Sequence, residues 1–152
     1  MFRKIFASAV AVCAVCSFTV NAAAETTAED AYDYREAIMT TLKGHLVASS
    51  MIVRGLAPDD GYLVNHALGL ANSLAEIHRV FQEGSAVGES EALPVIWEQA
   101  EKFKAAIQKA ETASKNFHEV VAGGGDKDAI GAAFREVAMS CRGCHDDFRV
   151  AH

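Results

Sequence analysis

The spacing of apolar residues restricts this chain to one fold class. From about Thr27 onward, apolar side chains recur at the period of an α-helix, and the two-residue alternation typical of β-strands is nearly absent. Glycine and proline interrupt the pattern within residues 55–61, 84–94 and 123–125. The sequence therefore predicts an all-α protein, an antiparallel four-helix bundle with short or moderate loops.

Capping and breaking residues predict where the four helices begin and end. The first helix is expected over residues 27–54 and the second over residues 60–83, followed by a loop over residues 84–93. Pro94 suits the first turn of the third helix because its missing N–H is not needed there, and this helix should stop at residues 123–125. Asp126 is a good N-cap for the fourth helix, which runs to about Phe148.

The N-terminal segment has the layout of a secretory signal peptide. Arg3 and Lys4 precede an apolar run over residues 5–20, and small residues at 22–24 match a cleavage site. The apolar run is short for a membrane span, and no second one follows. We therefore expect a signal peptide over residues 1–24 and one exported domain over residues 25–152, with no membrane attachment after cleavage.

Charge and cysteine usage narrow the classes of partner. The formal net charge is −6 and becomes more negative once Arg3 and Lys4 are removed. This acidity argues against nucleic acids and anionic membranes and favours basic or neutral partners. Of the four cysteines, only Cys141 and Cys144 would remain, in an oxidising compartment where unprotected thiols pair.

These two cysteines belong to the pattern Cys-x-x-Cys-His, which is the attachment signal for c-type haem. At about 100° per residue, Cys141, Cys144 and His145 fall within one arc of the fourth helix. Both sulfurs can then form thioethers with one porphyrin edge, and the His145 imidazole can serve as an axial ligand to the iron. The motif predicts one covalent haem c near the C-terminal helix, and export predicts a periplasmic protein.

Three other interpretations of the cysteine pair carry less weight. A thioredoxin-like redox pair would lie at a helix start within a βαβ unit, and no strand is evident in the sequence. A structural zinc site needs four ligands, and the exported domain has no second cysteine pair. A haem-free bundle with a disulfide between Cys141 and Cys144 would gain almost nothing, because the two residues already lie one turn apart on a helix.

With the motif at its C-terminus, the chain resembles the class II cytochromes c, which comprise cytochrome c′ and its low-spin relatives. The resemblance covers the whole exported domain. Its other marks are "YREAIM" at residues 34–39, "PVIW" at residues 94–97 and "CRGCHDDFR" at residues 141–149. It implies thioethers at Cys141 and Cys144, and it implies that His145 is the proximal iron ligand.

The same resemblance implies further residues of the haem surroundings. Arg35 matches the first-helix arginine that pairs with a haem propionate, and Arg149 matches the basic residue beside the proximal haem face. Trp97 matches a tryptophan near the haem. For the two arginines, the plainer alternative is a solvated surface charge.

Met39 decides which branch of the family the chain resembles. The resemblance places it on the distal side of the iron, where a methionine is the sixth ligand in low-spin members and a non-ligating residue stands in five-coordinate members. A thioether ligand favours reduced iron and suits an electron carrier. The alternative is that Met39 only packs in the core.

The resulting functional expectation is a periplasmic electron-transfer protein with His145 and Met39 as axial ligands, docking to redox partners through their basic patches. The alternative is a five-coordinate protein of the cytochrome c′ type that binds NO or CO, for buffering or sensing. An enzyme is not expected, because no nucleophile–base pair is evident. Many relatives are homodimers built on their first two helices, so a homodimer is a further expectation.

Overall fold

The computed structural model describes residues 26–151, and within that range the chain is helical apart from its connecting loops. The predicted signal peptide over residues 1–24 lies outside the described residues. The helices are α1 (Ala28–Val53), α2 (Leu63–Leu74), α3 (Ile77–Val80), α4 (Val95–Glu98), α5 (Ala100–Ala122) and α6 (Lys127–Phe148). Four long helices and two short ones confirm the predicted all-α bundle.

The four long helices enclose an apolar interior. Helix α1 packs against α2 and α6, and α5 packs against the same two helices. Two clusters of buried side chains fill the space between them. One surrounds Phe103 and includes residues of α2 to α6; the other surrounds Phe117 and joins α2, α5 and α6. Because Cys144 packs against the first cluster and Cys141 against the second, the cysteine motif lies where the two meet.

Side-chain caps fix the start of the first and last long helices, and the cap at Asp126 was predicted. The Thr27 hydroxyl accepts a hydrogen bond from the Asp30 N–H at 3.1 Å. The Asp126 carboxylate accepts one from the Ala129 N–H at 2.8 Å. Between α5 and α6 the chain turns through Gly124, whose φ of 72° suits glycine.

The prediction of one unbroken helix over residues 60–83 is wrong. Helix α2 ends at Leu74, and the short helix α3 ends before Phe81, whose φ of −104° and ψ of 64° leave the helical region. At the junction the Glu76 N–H donates to the Ser73 carbonyl, three residues back, so the helix is locally tightened. The Tyr34 hydroxyl of α1 donates to the Glu76 carboxylate at 2.6 Å and ties this junction to the first helix.

The third predicted helix is likewise divided, at Gln99, whose φ of −119° and ψ of 50° are not helical. Pro94 does precede the first turn, as predicted, but the turn forms the separate helix α4. This arrangement buries Ile96 in the core while the Trp97 Nε1–H donates to the Phe81 carbonyl at 3.2 Å. The break at Gln99 thus accompanies a contact between Trp97 and the end of α3, which the spacing of apolar residues in the sequence does not predict.

The loop before α4 is joined to the end of α6 by backbone hydrogen bonds. The Leu93 N–H donates to the Phe148 carbonyl at 3.0 Å, and the Val150 N–H donates to the Glu91 carbonyl at 2.9 Å. These bonds hold the loop beside the last turn of α6, which carries His145. None of the helices in residues 26–151 combines the length and apolarity that a bilayer span requires.

Replacing the α6 cap provides a test of this description. Asp126→Ala removes the acceptor of the Ala129 N–H and should lower the free energy of unfolding by about 1 kcal/mol, measured by guanidinium denaturation. Asp60→Ala, at an exposed loop position, is the control and should change stability by less than about 0.5 kcal/mol. Equal effects of the two substitutions would contradict the capping role.

Candidate functional site

A cavity of about 490 Å³ lies between α1, α2, α5 and α6, and residues 90–92 of the loop complete its wall. Six of the seven residues predicted for the haem site line it: Arg35, Met39, Cys141, Cys144, His145 and Arg149. Most of the remaining wall is apolar and includes Leu42, Leu46, Leu70, Leu74, Ile77, Phe81, Ile96, Phe103, Ile107 and Phe148. The volume and apolar lining are those of a cofactor site.

Helix α6 forms one wall of this cavity, and that wall carries the cysteine motif. Cys141 and Cys144 are half-buried, and His145 is more exposed. All three line the cavity because they lie on one arc of the helix, as their spacing predicts. The burial of Phe148 one turn later keeps this arc of α6 turned towards the core.

The environment of the thiols argues against a redox-active dithiol. Burial, with lesser effects of Cys141 and Asp147, raises the pKa of Cys144 to about 11, and burial also raises the pKa of Cys141. A thioredoxin-like pair instead needs a lowered thiol pKa to supply its attacking thiolate. Neither cysteine is in a disulfide. Nor do the residues from 26 to 151 contain a cluster of three or more His, Cys, Asp or Glu side chains able to hold a metal ion.

His145 is electrostatically suited to act as a neutral ligand. Partial desolvation of the ring, followed by the positive charge of Arg149, lowers the pKa of His145. The imidazole is therefore neutral at pH 7, with a nitrogen lone pair available for iron.

Arg35 is buried inside the protein, with only 2 % of its surface exposed. Its Nη1 donates to the Ser85 Oγ at 2.7 Å and to the Val80 carbonyl at 3.4 Å. Its Nη2 donates to the Ser85 carbonyl at 2.9 Å and to the Ser90 Oγ at 3.0 Å. The guanidinium also lies 5.1 Å from the centroid of the Phe81 ring. The solvated surface charge considered from sequence is thus wrong for Arg35.

These partners of Arg35 are all neutral. Within residues 26–151 it forms no ion pair, and burial lowers its pKa. An arginine keeps its charge nonetheless, so the cavity has a buried cation in its wall with no carboxylate bonded to it. Such a site favours an anionic group of a bound molecule.

Arg149 supplies a second positive charge to the cavity, from the end of α6. Its Nε lies 3.7 Å from a Glu91 carboxylate oxygen, which is too long for a hydrogen bond, and this buried Nε has no hydrogen-bond partner among the described residues. The donor set therefore combines two thiols, one neutral imidazole and two arginines around an apolar cavity. A haem, with an apolar ring and two carboxylates, fits this set.

Met39 lines the cavity from α1 and is half-buried. Its side chain packs against the apolar cluster around Phe103. Met39 therefore lines the same cavity as the cysteine motif, Met39 from α1 and the motif from α6.

The structure does not bring Trp97 into this cavity. Trp97 lines a second cavity of about 570 Å³, whose rim carries polar residues such as His78 and Lys104. The two cavities share the side chains of Phe81, Ile96, Phe103 and Ile107.

Sequence reasoning missed the loop residues that hold Arg35. Ser85 is almost fully buried and accepts a hydrogen bond from the guanidinium, yet it lies between Gly84 and Gly88 in a segment without helical period. A small polar residue in such a loop gives no signal of burial. Its role in holding Arg35 is evident only from the hydrogen bonds that Arg35 of α1 donates to it.

Comparison with known proteins agrees with this geometry. The family model described as "Cytochrome C'" matches residues 30–149, which include both cysteines and His145. The chain belongs to the cytochrome c′ family. Members of this family bind a covalent haem c, and haem c is therefore the cofactor of the chain.

Individual relatives extend over nearly the whole domain. Cytochrome c′ of Pararhodospirillum photometricum is 33% identical over 118 residues, covering 77% of this chain and 94% of that protein. The solved structure of Rubrivivax gelatinosus cytochrome c′ superposes with a TM-score of 0.75 at 29% identity, covering 81% of this chain and 97% of that one.

A ferrous variant of Alcaligenes xylosoxidans cytochrome c′ with bound NO gives a TM-score of 0.75 at 30% identity, covering 83% of this chain and 98% of that one. Another variant of that protein has been solved with carbon monoxide bound.

The Arg35 network generates a prediction that does not involve the cofactor. Arg35→Gln removes the charge and most of the bonds to Ser85 and Ser90, and should lower the free energy of unfolding by about 2–3 kcal/mol. Hydrogen exchange of the backbone amides of residues 84–90 should accelerate.

The control is Arg79→Gln, since Arg79 is an exposed arginine whose ion pair with Glu76 is on the surface. It should cost less than about 1 kcal/mol and leave exchange in residues 84–90 unchanged. Unchanged exchange in Arg35→Gln would show that the loop is held by other contacts.

Proposed function

We propose that this protein binds nitric oxide or carbon monoxide at its haem, which Cys141 and Cys144 attach and His145 ligates. Haem c supplies an iron atom that can bind a small neutral gas or exchange one electron. The observation that carries the proposal is the packing of Met39 against the apolar cluster around Phe103, which makes it part of the apolar wall of the cavity. The gas-bound structures of the Alcaligenes xylosoxidans relative support it.

Each side chain has a defined task in this proposal. Cys141 and Cys144 would anchor the cofactor to α6, while the neutral imidazole of His145 would supply a nitrogen ligand to its iron. Arg35 and Arg149 offer positive charge to the carboxylates of the cofactor. Trp97 contributes to the cavity only indirectly: its indole N–H donates to the Phe81 carbonyl and so helps to position Phe81, which lines the cavity.

The apolar side chains select the ligand. Burying a charged or strongly polar molecule among them would cost several kcal/mol without a hydrogen-bonding partner, whereas NO and CO are neutral and small. Apolar residues such as Leu42, Leu70 and Phe103 line the cavity and offer no hydrogen-bonding side chain to a polar substrate. The cavity is therefore suited to diatomic ligands rather than to larger substrates, and we propose a binding protein rather than an enzyme.

The second candidate function is electron transfer, which was the main expectation from sequence. The specific observation in its favour is that the thioether of Met39 lines the same cavity as His145. The similarity to proteins named cytochrome c′ favours the gas-binding alternative instead, because such proteins are typically five-coordinate and high-spin. The low-spin branch and a redox partner with a basic docking patch belong to this second candidate.

We also propose a periplasmic location, which the predicted signal peptide and the haem-attachment motif support. The homodimer through the first two helices stays a prediction. Val47 and Met51 on α1 and Leu68 on α2 are exposed apolar side chains that would suit such a contact.

Substituting Met39 distinguishes the two candidate functions. The gas-binding proposal predicts a high-spin visible spectrum for the ferrous wild-type protein and a clear shift on adding CO. Met39→Leu should leave the spin state unchanged, because the side chain is a wall rather than a ligand. Met51→Leu, an exposed methionine on the same helix, is the matched control and should have no effect.

A low-spin ferrous wild type that becomes high-spin only in Met39→Leu would contradict the gas-binding proposal. That outcome would make Met39 the sixth ligand and establish the electron-transfer candidate. If Met51→Leu also changes a low-spin spectrum to a high-spin one, the cause is a general disturbance of α1 and not the loss of a ligand.

A further inference from the structure

A histidine pair, His45 of α1 and His66 of α2, lies outside the cavity that the cysteine motif lines. The two Nδ1 atoms are 3.2 Å apart, and the ring centroids are 5.5 Å apart with the ring planes inclined at 58°. This is the arrangement of an N–H···N hydrogen bond, in which one ring donates from a protonated Nδ1 and the other accepts with the lone pair of its own Nδ1. The bond requires that at least one of the two rings is neutral.

The backbone of α2 is shaped to hold the His45 ring beside His66. Gly69 faces the imidazole so closely that a Cβ atom there would overlap its Nε2, Cε1 and Cδ2 atoms. Since Gly69 follows His66 by three residues, both lie on the same face of α2. The His45 ring, which is half-buried like that of His66, therefore packs on α2 as well as bonding to it. The hydrogen bond is part of the packing between the two helices.

The histidine pair has no acidic neighbour on its own two helices. One turn to either side of His45, positions 41, 42, 48 and 49 of α1 carry no ionisable side chain. On α2, His66 is itself the one ionisable residue, and Tyr62, one turn before it, is exposed. In the loop before α2, the Asp59 carboxylate accepts hydrogen bonds from two backbone N–H groups.

The helices packed against α1 and α2 supply no counter-charge either. On α3, α5 and α6, every Asp, Glu, Lys and Arg side chain is exposed except Glu111, which lines the second cavity. The titratable groups that remain on these helices are His78, His118, His145 and the two cysteines of the motif. Among residues 26–151 neither histidine of the pair forms an ion pair. Burial, followed by the positive charge of His66, lowers the pKa of His45.

We propose that the histidine pair is a pH-sensitive contact between α1 and α2, which is made while the rings share one N–H···N hydrogen bond and is broken when both rings are protonated. The donor ring can take up a proton at its Nε2 and keep the bond, because its Nδ1–H stays in place. A proton on the acceptor Nδ1 removes the lone pair and leaves two positively charged rings with their Nδ1 atoms 3.2 Å apart. His45 is the acceptor, because burial opposes a charge on its ring.

The contact stabilises the fold at neutral pH and loses this effect in acid. Because the pKa of His45 lies below its ordinary value of about 6.5 in the folded protein, the unfolded chain takes up the proton more readily. Stability from the pair is therefore complete above about pH 6.5 and is lost as the pH falls from there through the lowered pKa. Leu46 beside His45 and Leu70 beside Gly69 line the cavity of the cysteine motif, so acid weakens the contact between two helices that form its wall. This effect does not depend on the proposed gas binding.

Hydrogen exchange of the folded, haem-loaded protein, measured by mass spectrometry at pH 7.5 and pH 5.5, tests the contact. After correction for intrinsic exchange rates, the protection of the amides of α2 should fall at the lower pH by about fivefold more than that of α5, the usual effect of losing one hydrogen bond. An equal fall in the two helices of the wild type would overturn the proposal, and this comparison needs no substitution.

Three variants assign the effect to the histidine pair. His45→Phe keeps a ring against Gly69 but cannot titrate, and Gly69→Ala keeps both histidines but displaces the His45 ring. Each should abolish the additional loss of protection in α2 at pH 5.5. His118→Gln removes a half-exposed histidine on α5 and should retain the loss. Persistence of the loss in His45→Phe or in Gly69→Ala would show that other groups cause it and would overturn the proposal.

Discussion

The helical period of α6 is the constraint on which the site depends. Cys141, Cys144 and His145 reach one cavity because the helix continues without interruption to Phe148, whose burial orients its last turn. A break of the kind seen at Gln99 would have turned the imidazole away from the two thiols. The backbone bonds from Leu93 and Val150 hold the same turn against the loop before α4. The C-terminal helix is therefore held both by packing and by hydrogen bonds.

Arg35 connects the stability of the protein with its chemistry. Three of its four hydrogen bonds go to Ser85 and Ser90 in the loop and the fourth goes to the Val80 carbonyl, and together they hold a positive charge in the cavity wall. A buried cation with only neutral partners is costly, so an anionic group of the cofactor would stabilise the folded state as well as its own binding. If Arg35 pairs with a carboxylate of the cofactor, as proposed, the order of this loop and the retention of the cofactor are coupled through this one side chain.

Local signals predicted most of the fold, and tertiary contacts account for what they missed. Thr27 and Asp126 act as caps because their side chains bond the backbone within three residues, which a sequence pattern can encode. The breaks at Glu76 and Gln99 accompany contacts with Tyr34 and Phe81, far away in sequence. The motif likewise predicted the placement of Cys141, Cys144 and His145, whereas the burial of Arg35 by Ser85 depends on a loop with no periodic signal. Trp97 lines the second cavity, and its expected place near the haem stays a prediction from the resemblance.

Mass analysis of the peptide containing residues 141–145 tests the central claim most directly. Protein exported to the periplasm and digested with a protease should yield this peptide with one haem added, and fragmentation should assign the two thioethers to Cys141 and Cys144. The same peptide at the mass of its amino acids alone, from protein that has passed through the haem-attachment compartment, would contradict the account.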